Sequence, residues 1–107
     1  VASGLPTNSF GFFVGSPNES APAPLTNSNG FLCLGAGLGR YSRLAEIGAT
    51  GAAGSFELAV APDALRSGAT TVTATAGLTW SFQAWHRDLG GAPAQSNLTA
   101  GVTVTYE

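Results

Sequence analysis

Residues 70–88, TTVTATAGLTWSFQAWHRD, restrict the fold more than any other stretch of the chain. Two alternating runs break at Ala76-Gly77, where glycine can take the positive φ of a tight turn, so the stretch predicts a β-hairpin. Its second arm carries both tryptophans. With a period of two, Trp80, Phe82 and Ala84 share one face, and Ser81, Gln83, Trp85 and Arg87 share the other. Burying one such indole removes about 150–250 Å² from water, on the order of 4–6 kcal/mol before entropy, and no other segment matches that.

The remainder reads as short strands between Gly and Pro punctuation. Residues 1–9, with Pro6, predict an extended arm ahead of a single domain over residues 10–107. SFGFFV at 9–14 predicts the first strand, with Phe10, Phe12 and Val14 on one face and Phe13 on the other. Residues 15–29 hold Pro17, Pro22 and Pro24 among small polar residues and read as a surface loop. Residues 30–34 predict a strand apolar on both faces, and GAGLG at 35–39 bends the chain. RYSRLAEI at 40–47 fits a strand or one helical turn, and the strand is preferred. After the flexible GATGAAG, residues 55–61 show the cleanest alternation, with Phe56, Leu58 and Val60 inward, and predict a half-exposed antiparallel strand. A single helical turn fits 62–66, a loop fits 89–97, and residues 98–106 close the chain with Val102, Val104 and Tyr106 toward the core. The expected core is therefore Phe56, Leu58, Val60, Trp80, Phe82, Val102 and Val104. About seven short strands with almost no helical pattern predict an all-β fold: an antiparallel β-sandwich of immunoglobulin-like or jelly-roll type, with a small barrel as runner-up.

Charge narrows the function classes. Charged residues make up 9% of the 107, against about 25% in an average domain, so the surface must be built from Ser, Thr, Asn, Gly and Ala. All four basic residues are arginine and the formal net charge is −2, which lacks the electrostatic footprint of a nucleic-acid binder. No apolar run approaches the ~20 residues of a membrane-spanning helix. The chain starts at Val1 and has no Met, which suggests a processed product or an excised segment, with no signal sequence remaining at the front. Its length suffices for a core without metal or disulfide. Cys33, in Phe31-Leu32-Cys33-Leu34, has no internal partner and reads as a small buried hydrophobe, or else an intermolecular disulfide partner.

Catalytic patterns are weak. His86 and Asp88 share a strand face while Ser81 lies opposite, so the three do not converge as a nucleophile triad. Cys33 with His86 would need an oxyanion hole and an activated thiol, which its apolar setting opposes. Gly35-Ala36-Gly37-Leu38-Gly39 lacks the spacing and following helix of a phosphate loop. One His, one Cys and scattered carboxylates give no zinc cluster; a calcium site using Asp63 or Asp88 with backbone carbonyls stays open. The expectation is a non-enzyme with no cofactor and no metal. Asn18-Glu19-Ser20 and Asn97-Leu98-Thr99 are glycosylation sequons if the source uses them.

GFLCLGAGLGRY, GAAGSFELAV, AGLTWSFQAWHRD and SNLTAGVTVTYE resemble a recurrent C-terminal module of secreted proteins in large-genome environmental bacteria. That module typically ends W-x-F-Q-x-W-x-R-D and S-N-F-T-D-G-V-x-V-T-F. The resemblance covers most of the chain from Gly11. Trp80, Phe82, Gln83, Trp85, Arg87 and Asp88 fit position by position, while Leu98 and Ala100 stand where the pattern has Phe and Asp. It implies a secreted, non-enzymatic β-rich module at the cell surface or outside the cell, and the missing Asp at Ala100 weakens any carried-over metal site.

Two functions compete. Strands apolar on both faces and poor in charge predict a self-associating extracellular structural subunit, a filament or surface-assembly component whose partners are copies of itself. Its expected interface is Leu5, Phe13, Leu32 and Trp85, with the N-terminal arm reaching a neighbour. The alternative is a carbohydrate- or ligand-binding accessory module in which Trp85 stacks on a sugar and Gln83 and Arg87 bond its hydroxyls.

Overall fold

The computed structural model describes residues 1–24, 30–43, 46–87 and 96–106, with only the backbone at Ala21 and Pro24. Expectations resting on Asp88 or on the loop at 89–95 lie outside these residues. The fold is all-β and antiparallel, as the alternation predicts. Its strands are β1 (Phe10–Ser16), β2 (Glu19–Pro24), β3 (Phe31–Leu34), β4 (Gly39–Tyr41), β5 (Gly48–Ala49), β6 (Leu65–Ser67), β7 (Thr70–Val72), β8 (Thr79–Arg87), β9 (Ser96–Leu98) and β10 (Val102–Thr105). The main sheet runs β10-β8-β1-β4, with β5 beside β4 on β1 and β9 beside β10 on β8; β2-β3 and β6-β7 are separate ribbons.

The tryptophan strand is central, but its partner differs from the expectation. Residues 70–72 pair with 65–67 across Gly68, and β8 pairs with β1, β9 and β10 instead. The arm before Ala76 offers Val72 as its one large apolar residue, whereas β1 offers Phe10, Phe12, Phe13 and Val14. Burial therefore favours the distant strand. The Ala76-Gly77 turn does form, with Gly77 at φ 84°, but it is tied to the C-terminal strand through Gly77 N–H to the Tyr106 carbonyl at 2.8 Å.

Five further segments depart from expectation. Within the predicted loop at 15–29, Glu19–Pro24 forms a strand whose register shifts between Glu19 and Ala23; a two-stranded ribbon tolerates proline along an unpaired edge. The strand expected at 40–47 stops at Tyr41, and a turn follows in which Glu46 and Ile47 both donate to the Arg43 carbonyl. Residues 55–61 keep the predicted faces, with Phe56 buried and Glu57 exposed, yet pair only through one bridge between Phe56 and Ala2. The helical turn at 62–66 is replaced by a turn at Pro62-Asp63 leading into β6. The closing strand is interrupted: β9 and β10 pair along the same side of β8, parted where Thr99 donates to the Ala84 carbonyl and accepts from the Ala84 N–H.

The two faces of the main sheet are covered differently. On the face of Ser81 and Gln83 lies the β2-β3 ribbon. On the face of Phe13, Tyr41 and Ala84 lie β6-β7, the Phe56 segment and the N-terminal arm. Ala2, Phe56 and Ala84 form a buried cluster with Leu5 and Phe13 packed on it. Trp80 and Leu65 are almost wholly buried. Gly39 allows β6 to approach β4, since a Cβ there would lie 2.2 Å from the Arg66 carbonyl oxygen.

Candidate functional site

The arm does not stand away from its own domain. Ala2 exchanges backbone bonds with Phe56, and the Leu5 and Asn8 amides donate to the carbonyls of Gly54 and Gly51, each at 2.9 Å. Leu5, expected at an interface with a neighbour, packs on its own core.

Exposed apolar side chains also line the C-terminal strand. Val102 pairs with Phe82 and Val104 with Trp80, so both valines take the core face as alternation predicts. That face is left open there. Val102 is 61% exposed and Val104 is on the surface as well, which corrects their assignment to the core. They form one wall of a groove of about 510 Å³ whose floor includes Phe13, Phe82 and Ala84 and whose far wall includes Leu58 and Val60. Leu58 and Val60 are accordingly half-buried rather than sealed.

Beside the groove runs a free sheet edge. The Tyr106 N–H donates to the Leu78 carbonyl at 2.9 Å, and in an antiparallel ladder inward and outward amides alternate. The N–H and C=O groups of Val102 and Val104 therefore face β8, and those of Thr103 and Thr105 face outward. Among the described residues no strand pairs with that outward side. The opposite edge is capped. The Leu38 carbonyl accepts from Gly68 N–H at 3.0 Å and the Arg40 carbonyl from Arg66 Nη1 at 2.9 Å. The β10 segment carries no Pro, charge or other device against edge pairing.

The residues proposed for sugar binding are not a set. Gln83 is 2% exposed, and its amide is spent within the fold: Oε1 accepts from Cys33 N–H at 2.8 Å, and Nε2 donates to the Phe31 and Thr99 carbonyls at 3.0 and 2.8 Å. It joins the β2-β3 ribbon to the main sheet. Trp85 and Arg87 lie further along the same face with Phe10 and Phe12. Phe12 stacks on Trp85 at 5.0 Å, and the Arg87 guanidinium is 5.5 Å from the Trp85 ring and 5.6 Å from that of Phe10. Phe13 and Leu32, the other expected interface residues, are half-buried, while Phe31 is 54% exposed.

Ser81 and His86 lie on opposite faces of β8. Ser81 is engaged by Glu19 Oε1 at 3.1 Å and Thr103 Oγ1 at 3.0 Å. Thr103 also donates to Glu19 through a short bond. The bonds from Thr103 and then Ser81 hold the Glu19 carboxyl below its ordinary range. His86 is buried, and its Nδ1, like Trp80 Nε1, has no partner among the described residues. Cys33 is a half-buried free thiol. No group of three His, Cys, Asp or Glu residues gathers among the described residues, and no helix there is long and apolar enough to cross a membrane.

No protein-family model, curated protein or solved structure matches the chain.

Proposed function

We propose that this domain is a non-enzymatic structural module that associates with copies of itself through the β10 edge and the apolar groove beside it. The observation that carries the reading is their juxtaposition: a strand whose outer side has no partner among the described residues, with outward amides at Thr103 and Thr105, flanked by exposed Val102 and Val104. An incoming edge satisfies those amides, and its side chains cover the valines and the groove. With so few charges on the chain, little electrostatic repulsion opposes the contact. The interface residues of the proposal are thus Val102, Thr103, Val104 and Thr105 with Phe82 and Leu58, and Val1, which lines the same groove, takes part from its own domain rather than as an arm reaching a neighbour. The extracellular setting of the proposal rests on the sequence resemblance alone.

Thr105→Pro tests it, because proline there removes one outward donor and leaves the ladder to β8 intact. By light scattering after size exclusion at tens of micromolar, the parent chain is expected to be oligomeric and Thr105→Pro monomeric, with unchanged far-ultraviolet circular dichroism. A monomeric parent chain, or a variant that assembles equally well, defeats the proposal.

A further inference from the structure

Three of the four arginines of the chain, Arg40, Arg43 and Arg66, line one hollow of about 270 Å³ between β4 and the β6-β7 hairpin. Ser42, Thr70 and Thr71 complete its polar wall, and no carboxylate is among the described lining residues. In a chain with a formal net charge of −2, this concentrates positive charge in one place. Glu46 lies just outside, 2.5 Å from Arg66 Nη1, so three cations face one anion and the neighbourhood keeps a net charge of +2. Burial raises the Glu46 carboxyl, but the bond from Arg66, the Arg43 backbone N–H and the charges of both arginines outweigh it and hold the group ionised.

Arg66 is fixed before any ligand arrives. Nη1 donates to the Arg40 carbonyl and to Glu46, and the guanidinium lies 5.0 Å from the centre of the Tyr41 ring. The Arg66 backbone N–H donates to Tyr41 Oη at 2.9 Å. An arginine has five donors, and the bonds of this one all use Nη1, which leaves Nε and Nη2 for a further acceptor. Arg40 and Arg43 are exposed at the rim, and neither guanidinium has a hydrogen bond or an ion pair within the described residues. Forked donors that converge with hydroxyls match the several oxygens of an oxyanion, and a fixed guanidinium loses little freedom on binding it. The volume lies below the range of pockets for drug-sized molecules, so the guest is a single group.

We propose that this hollow binds one doubly charged oxyanion group, phosphate or sulfate, held by Arg43, Arg40 and the preset Arg66. The site lies at the capped edge of the sheet, away from β10, and does not depend on self-association.

The test is titration of the full chain with inorganic phosphate and, separately, inorganic sulfate. Ionic strength is held constant with sodium chloride, and amide and arginine side-chain N–H shifts are followed by NMR. Saturable shifts confined to Arg40, Arg43, Arg66 and residues 68–71 are expected. Arg43→Gln, a surface change, should weaken binding about tenfold or more, as befits loss of a charged donor, while Arg87→Gln on the far part of the sheet should leave it unchanged. Absence of saturation with both anions, equal shifts with chloride alone, or an equal loss in Arg87→Gln overturns the assignment.

Discussion

Replacing Gln83 by Leu removes the joint between the two layers while keeping an apolar side chain of similar bulk. Three backbone groups lose their partner: the Cys33 N–H and the carbonyls of Phe31 and Thr99. A stranded buried N–H costs about 1–3 kcal/mol and each lost carbonyl bond about 0.5–1.5, together roughly 4 kcal/mol. That is a large part of the 5–15 kcal/mol typical of a whole domain. With a urea slope of about 1.5 kcal/mol/M, the unfolding midpoint should fall by about 2.5 M. Hydrogen exchange at the Cys33 amide should accelerate in step, since Gln83 is its acceptor. Gln83→Glu adds a sign test: the buried carboxylate keeps the acceptor but loses the donor, and protonation restores an O–H, so this variant should regain stability as pH falls. A midpoint shift below about 0.5 M for Gln83→Leu, with Cys33 exchange unchanged, would refute the weld and return Gln83 to the role of a ligand residue.

Trp80→Ala empties a site that is 1% exposed and should cost about 3–5 kcal/mol, whereas half-buried Trp85→Ala should cost clearly less; equal denaturation midpoints would contradict the assigned burial. Glu19 and Glu46 both have carboxyls lowered from the ordinary 4.5, so their stabilisation is complete above that pH and is lost as pH falls through the lowered folded-state values. Glu19→Gln should accordingly flatten part of the acid limb of a stability-against-pH curve. With Gln83 buried and Phe12 stacked on Trp85, soluble oligosaccharides should leave tryptophan fluorescence unchanged; a saturable shift lost in Trp85→Ala would restore the carbohydrate reading.

What the sequence disclosed follows the range of the interactions involved. Alternation marks the face of each residue, a local property, and it placed Phe56, Leu58 and Val60 inward and Val102 and Val104 beside Phe82 and Trp80. Whether a second layer covers that face is not local, and this is why Val102 could pass for core. Pairing failed for the same reason: the turn at Gly77 is written in two residues, but the choice of β1 over residues 70–72 as partner for β8 depends on aromatic burial some seventy positions away. Pro22 and Pro24 pointed to a loop because their effect depends on whether the strand they occupy has a free edge. The role of Gln83 was hidden since period two assigns its side and not the backbone groups opposite. The outward amides of Thr103 and Thr105 left a faint trace, a VTVT run with no gatekeeper.

Among the described residues the main sheet has one edge capped by Gly68 and Arg66 and one left bare, and in the proposed association this asymmetry would set a stoichiometry. A strand that recruits the identical strand of a second molecule does so about a two-fold axis, and each partner then has nothing more to offer. Such a sheet counts to two. Growth beyond a pair would call on a different surface, and the exposed rings of Phe31 and Phe10, on the other face of the sheet, are where a second and independent contact has material to work with.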